Sequence, residues 1–326
     1  MVLRVAVLMG GPSEEHDVSL KSGEGVCAAL KARGITALPV LVPRGTTEQA
    51  VAAVRAELKQ AAPDVAFLAL HGYFGEDGTV QALCEALQIP YTGSDAAASR
   101  LGMDKVASRE RFLAAGLRVP RWRTAEKAEA RAGQGMAYPL VVKPSNQGSS
   151  IGVTMVVQPE DLPNAIELAR QYGRVVLIEE FVQGRELTVG ILGEEALPVV
   201  EIRPKHRFFD FSAKYTAGMT EYDVPAKLPV ATAAAVQAAG RAAHAALGCR
   251  HLSRTDLILT EAGVPVILEV NTIPGFTPTS LLPKAAACRG ISYEEVCERL
   301  VRMAWDSSPQ AAAHAHGGAA IMRPHG

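Results

Sequence analysis

The chain has 326 residues, room for roughly two domains of ordinary size. Hydrophobic residues make up 48% and charged residues 21%, which suits a packed core and excludes a disordered or fibrous chain. Lys and Arg total 33 against 34 Asp and Glu, and aromatics are only 5%, so the basic, stacking-rich face of a nucleic-acid binder is not expected. No apolar run approaches the ~20 residues a membrane helix needs. The apolar start at Val5 to Met9 ends in Gly10-Gly11, which reads as a buried strand entering a tight loop rather than a signal peptide. The five cysteines are widely spread with no CxxC pair, so a disulfide scaffold or zinc site is not expected and a reducing cytoplasm fits.

The first third alternates strands and helices. Strands are predicted at Val5–Met9, Ala37–Val42 and Val65–Leu70, with helices at Ser19–Arg33, Ala50–Gln60 and Val80–Leu87. That alternation predicts a mostly parallel sheet covered on both faces, with ligands at the carboxyl ends of its strands. The loops Gly10–Asp17 and His71–Gly78 both follow strands, so both are candidate site walls. Each alone reads equally as a structural tight turn.

Further on, a helix is predicted at Asp104–Ala115, closed by Gly116. Strands follow at Pro139–Lys143, Val153–Val157 and Val175–Phe181, with a helix at Pro159–Tyr172. The last third carries strands at Leu187–Leu192, Pro198–Ile202, Arg254–Thr260 and Pro265–Val270, and helices at Ala231–Leu247 and Tyr293–Trp305. The stretch 205–227 is long and aperiodic, as functional lids are. The Ala-, His- and Gly-rich tail after Trp305 reads as disordered and solvated, its His314, His316 and His325 included.

The strongest local signal is Arg254-Thr255-Asp256 followed by Glu269-Val270-Asn271. A hairpin with a four-residue loop at Glu261–Val264 puts Asp256 opposite Glu269, and Asn271 and Arg254 on the same face. Two carboxylates and an amide carbonyl suit a hard cation such as magnesium. A guanidinium beside them suits charge developing on a phosphoryl group or an oxyanion. Solvent-facing polar residues would explain the hairpin as well, except that Glu269 and Asn271 interrupt an otherwise apolar run.

The second signal, Lys143 followed by the loop Pro144–Gly152, offers a lysine and backbone N–H groups to phosphate without Walker A spacing. As a bare pattern it is as compatible with a turn-rich hairpin. The third, Glu179-Glu180 at the end of an apolar strand, could face solvent or present acceptors to adenine.

In order along the chain, GGPSEEHDVSL, LHGYFGEDGTVQ, Met103-Asp104-Lys105, VVKPSNQGSSIGV, IEEFVQGRELTVGIL, FDFSAKYTAG, RTDLIL and EVNTIPGFTPTS resemble the D-alanine–D-alanine ligases of the ATP-grasp superfamily, from about Val5 to Trp305. The resemblance implies an α/β chain, α+β in its C-terminal part. An N-terminal doubly wound parallel-sheet domain (1–98) would precede an ATP-grasp fold (about 103–304). That fold would comprise a central subdomain (99–182) and a C-terminal subdomain (183–306) with a lid at 205–227, followed by the tail 307–326. It implies that ATP phosphorylates one D-alanine to an acyl phosphate, which a second D-alanine attacks. The dipeptide would serve peptidoglycan precursor synthesis.

Roles follow position by position from the same resemblance. Glu15 matches the glutamate on the first D-alanine's ammonium and His71 the histidine beside it. Ser149 matches the serine linked to Glu15 and to the lid tyrosine. Lys105, Lys143 and the lid's Lys214 match the lysines on the ATP phosphates, and Tyr215 the closing tyrosine. Glu179, Glu180, Phe181 and Val182 match the adenine hinge, and Glu186 the ribose glutamate. Arg254 and the N–H of Gly275 match the oxyanion pair, and Asp256, Glu269 and Asn271 the ligands of two Mg2+ or Mn2+ ions. Ser280 and Leu281 match the loop that receives the second substrate's carboxylate. The resemblance also implies a cytoplasmic homodimer with no nucleic-acid or membrane partner.

The resemblance implies D-alanine rather than D-lactate as second substrate, because the family's D-alanine-adding enzymes carry tyrosine where Tyr215 stands. Three departures stand out: Glu180 occupies a position where relatives commonly carry lysine, Phe209 and Phe211 replace frequent tyrosines, and the tail has no counterpart. The competing readings are a ligase joining D-alanine to D-serine or D-lactate, and a catalytically silent nucleotide-binding module. The second would predict a missing ligand or lysine, and none is missing.

Overall fold

The computed structural model of the chain describes residues 2–127, 130–148, 151–204 and 220–311. Its first elements are β1 (Arg4–Gly10), α1 (His16–Ala32), β2 (Thr36–Val42), α2 (Thr47–Ala61), β3 (Val65–Leu68) and α3 (Thr79–Ala86). The strands form a parallel sheet in the order β2-β1-β3, as the alternating pattern predicts. Val5, Val7 and Met9 pack with Val26 and Leu30 of α1, whereas Ala6 and Leu8 pack with Val54 and Leu58 of α2 and Leu83 of α3. Burial on both faces is why β1 is apolar without alternation. The approach of α1 is close: a Cβ on Gly23 would lie 2.4 Å from the Met9 Cβ.

Next come α4 (Ala96–Met103) and α5 (Lys105–Ala114), capped by the side chains of Asp95 and Asp104. The strands β4 (Trp122–Ala125), β5 (Leu140–Pro144), β6 (Thr154–Val156) and β7 (Val176–Glu180) form an antiparallel sheet in the order β4-β7-β5-β6. The helix predicted over Pro159–Tyr172 is a 3-10 turn at Pro159–Asp161 followed by α6 (Leu162–Arg170). Its Leu162, Ile166 and Ala169 cover Leu140, Val142 and Ile178.

The last part holds β8 (Arg185–Leu192), β9 (Glu195–Ala196), β10 (Val200–Pro204), β11 (Thr220–Asp223), α7 (Val230–Ala246), β12 (Leu252–Leu259), β13 (Pro265–Asn271), α8 (Leu281–Ala287) and α9 (Tyr293–Asp306). The sheet runs β11-β10-β8-β12-β13, with β9 on β8. The aperiodic reading of 205–227 is corrected at its end: Thr220–Asp223 is a polar edge strand on β10, without the alternation that would have revealed it. Residues 205–219 lie outside the described residues. Val236, Ala239 and Ala243 of α7 pack on Leu187, Val189, Leu257 and Ile267.

Helix α9 instead joins the N-terminal core, placing Val296, Leu300 and Val301 with Val7, Leu30 and Phe67. Beyond it Ser308 is buried and the Gln310 Nε2 donates to the Gln88 carbonyl at 2.7 Å; the tail from 312 on lies outside the described residues. Among the described residues no helix is long and apolar enough to cross a membrane.

Candidate active site

The loops that leave β1 and β3 are stitched together. Ser19 Oγ accepts from the Gly10 N–H at 2.8 Å and donates to the Ala69 carbonyl at 2.7 Å. Ser13 Oγ donates to the His71 carbonyl at 2.7 Å. Gly72 has φ +68°, and a Cβ there would lie 2.7 Å from the Glu15 Oε2, so only glycine lets the second loop pass beside that carboxylate. His71 is buried, with Nε2 2.9 Å from Ser22 Oγ. Burial pushes its pKa below the usual value, against the pull of Glu15, so the imidazole is held neutral.

The hairpin of β12 and β13 sets Asp256 opposite Glu269 and Arg254 opposite Asn271, as the sequence register predicts, by a different route. Five residues, Thr260–Val264, separate the strands rather than four. A bulge then restores the register: Leu257 faces Ile267 while Asp256 faces Glu269, leaving Leu268 as the extra residue. Asp256 is held on three sides. Arg254 donates to Oδ1 from Nε and to Oδ2 from Nη2, each at 2.8 Å. Thr188 Oγ1 donates to Oδ1 at 2.6 Å, and Asn271 Nδ2 to Oδ2 at 3.0 Å. Burial works against the Arg254 charge, but Asp256, Glu269 and Glu76 more than offset it and raise its pKa.

Two carboxylates and an amide on one face form an oxygen donor set that fits a hard divalent cation. Among the described residues no group of three or more His, Cys, Asp and Glu side chains gathers, because the third donor here is the Asn271 amide.

The lysines converge from other elements. Lys105, at the start of α5, donates from Nζ to the Gln147 carbonyl at 2.6 Å and lies 3.3 Å from Glu269 Oε2. Lys143, on β5, lies 2.6 Å from Glu179 Oε2, and Arg109 Nη2 pairs with Glu179 Oε1. The Glu179 side chain is therefore buried beneath Lys143, while Glu180 turns aside to accept from the Ala137 N–H at 2.8 Å and from Arg121 at 3.2 Å. Phe181 is exposed, and its N–H donates to the Pro139 carbonyl. Glu186 pairs with Ile202 and Ile258 in the large sheet.

A cavity of about 770 Å³ collects Glu15, His71, Lys105, Arg254, Glu269, Asn271, Gly275, Ser280 and Leu281 from the predicted set. Lys143, Glu179, Glu180, Phe181, Val182, Glu186 and Asp256 are not in its lining. Ser280 precedes α8, and its Oγ accepts from the Thr277 N–H at 3.0 Å. Ser149, Lys214 and Tyr215 lie outside the described residues.

Three residues escaped the sequence reading. Thr188 is a lone hydroxyl in an apolar strand. Arg109 is an arginine inside a helix. Glu76 belongs to a loop recognised as a wall but not resolved into residues.

Glu76 lines the cavity and accepts from the Gly72 N–H at 2.7 Å. Burial first, and Glu15 next, raise its pKa from 4.5 to about 8. Between those values the folded chain binds a proton that the unfolded chain has released, so this carboxyl makes stability fall as pH rises. Glu76→Gln is therefore expected to gain thermal stability relative to the parent between pH 5 and pH 8. Melting curves at several pH values check it, and a difference constant with pH would contradict it.

A family model described as D-ala D-ala ligase C-terminus matches residues 112–302, and one described as D-ala D-ala ligase N-terminus matches 43–94. The chain is 46% identical to a D-alanine–D-alanine ligase of Geobacter sulfurreducens over 91% of its own length and 93% of that protein. It is 43% identical to one from Pelotomaculum thermopropionicum, over 94% and 98%. A crystal structure of the Bacillus anthracis D-alanine–D-alanine ligase complexed with ATP superposes with a TM-score of 0.80 at 32% identity, covering 93% of this chain and 97% of that one. The VanG D-Ala:D-Ser ligase of Enterococcus faecalis superposes with a TM-score of 0.81 at 30% identity, covering 93% and 100%. The architecture is that of an ATP-grasp ligase. The chain belongs to the D-alanine–D-alanine ligase family.

Proposed function

We propose that the protein joins two D-alanine molecules to D-alanyl-D-alanine with ATP, releasing ADP and phosphate. The observation that carries this is the shared cavity, in which Glu15 and His71 of the first domain face Arg254, Glu269 and Asn271 of the last sheet. The γ-phosphoryl group passes from ATP to a carboxylate oxygen of the first D-alanine. The amine of the second attacks the carbonyl carbon of the acyl phosphate, and the tetrahedral intermediate expels phosphate.

Glu15 holds the first ammonium, and neutral His71 sits beside it without repelling that charge. Lys105, Lys143 and Lys214 compensate phosphate charge. Arg254 and the Gly275 N–H receive the oxyanion. Glu179 to Val182 take the adenine and Glu186 the ribose; at Glu180 the backbone makes the contact, since its side chain is engaged by Ala137 and Arg121. Ser280 and Leu281 receive the second carboxylate.

Asp256, Glu269 and Asn271 would hold two Mg2+ or Mn2+ ions, which supply electrostatic stabilisation to the transferring phosphoryl group. Ser149 and Tyr215 complete the closure over the substrates, and Tyr215 favours an amine nucleophile over D-lactate. The family likeness extends this reading to peptidoglycan precursor synthesis by a cytoplasmic homodimer.

The experiment is ATP-dependent phosphate release with magnesium, offering D-alanine, L-alanine, and D-alanine paired with D-serine or D-lactate, with products identified by mass. Release with D-alanine alone, giving the dipeptide, is expected. Release only with a mixed pair would move the specificity away from Tyr215, and ATP binding without release would favour the silent module.

A further inference from the structure

Arg109 is the largest fully buried side chain among the described residues, and nothing assigned so far uses it. It lies one helical turn after Lys105 on α5, and its guanidinium joins three elements. Nη1 donates to the Lys105 carbonyl at 2.9 Å, and Nη2 donates to the Leu268 carbonyl at 3.2 Å and pairs with Glu179 on β7. Its Nε–H has no hydrogen-bond partner among the described residues. Stability alone does not ask for such a group, because an apolar side chain in place of a buried ion pair is often neutral or stabilising.

The charge count points to its use. Glu179 is shared between Arg109 and Lys143, so the trio carries one net positive charge. Without Arg109, the same carboxylate would neutralise Lys143 one to one. The second contact is to the backbone that the β13 bulge displaces from the ladder. Leu268 is the extra residue, and its carbonyl accepts from Arg109 at 3.2 Å.

We propose that Arg109 is a positioning residue for the nucleotide phosphates: by sharing Glu179 it leaves Lys143 able to attract them. This rests on the reading of Lys143 as a phosphate contact. ATP binding is therefore measured by titration calorimetry with magnesium and no amino acid, so that a failure of ligation and a failure of this inference are separate results.

Three proteins are compared with the parent, each titrated with ATP and with adenosine: Arg109→Met, Arg109→Lys and the double variant Arg109→Met/Glu179→Gln. Arg109→Met is expected to weaken ATP binding about tenfold, the scale of lost outer partners of a ligand group. Adenosine binding should stay within about twofold, while the melting midpoint should fall by about 10 °C, as for loss of one partner of a buried pair. Arg109→Lys keeps the cation and should keep most of the ATP affinity. The double variant removes both buried charges and should restore the parent's ratio of ATP to adenosine affinity.

Unchanged ATP affinity in Arg109→Met would overturn the proposal, as would an equal loss for ATP and adenosine. If Arg109→Met does not fold, the double variant decides. A parental affinity ratio supports the proposal, and a ratio about tenfold lower overturns it.

Discussion

Arg254→Met is expected to lower kcat about 100- to 1,000-fold, the usual effect of losing one donor aimed at an oxyanion, while the KM for ATP changes little. The guanidinium lines the cavity and is oriented by a two-point contact with Asp256, which fixes its plane before substrate arrives. Preorganisation of that kind is worth most in the transition state, when negative charge collects on the attacked carbonyl oxygen. Arg254→Lys retains a charge but not the forked contact, so it is expected to recover only a small part of the rate. Steady-state kinetics with saturating D-alanine checks both. A Met variant within tenfold of the parent would remove Arg254 from the chemistry.

Asp256→Ala should act twice. It removes an oxygen donor from the candidate cation site, and it strips the Arg254 guanidinium of its main counter-charge. The Asp256 side chain is only 12% exposed and that of Arg254 17%. Removing one partner of a buried pair costs about 3–5 kcal/mol, which should lower the melting midpoint by about 10 °C for a chain of this size. Turnover should fall below about one-thousandth of the parent, since both phosphoryl stabilisation and arginine placement are lost.

Calorimetry separates the two effects. ATP with magnesium should raise the parent's midpoint by mass action and leave the variant's nearly unmoved. An Asp256→Ala protein that is fully stabilised by magnesium and ATP would show that the cation is held elsewhere.

The first sheet is readable from pattern, because its central parallel strand, buried on both faces, announces itself as an unbroken apolar run. The hairpin is more instructive. Alternation and loop length together put Asp256 opposite Glu269, yet the loop is one residue longer than expected, and the bulge at Leu268 cancels the offset. Loop length and bulge are set by local backbone geometry that hydrophobic pattern does not encode.

The short elements were missed for simple reasons. The strand Trp122–Ala125 is mostly outward-facing, the strand Thr220–Asp223 is polar, and α8 is a seven-residue helix beginning after a Thr- and Pro-rich turn. Thr188, Glu76 and Arg109 escaped because their roles exist only in three dimensions. Thr188 acts on Asp256 68 positions away, Arg109 on Leu268 159 positions away, and Glu76 lies against Glu15 of another loop, across elements that sequence alone does not bring together.

The position of α9 has a consequence for how the molecule is made. Its apolar face covers the side of the first sheet that β1 and β3 also present to α1, although it is the last long helix among the described residues. During synthesis that patch waits for nearly the whole polypeptide to leave the ribosome. The first domain therefore cannot finish folding ahead of the later sheets, and a chain cut before Tyr293 would carry an exposed sticky surface although it keeps every residue that lines the cavity.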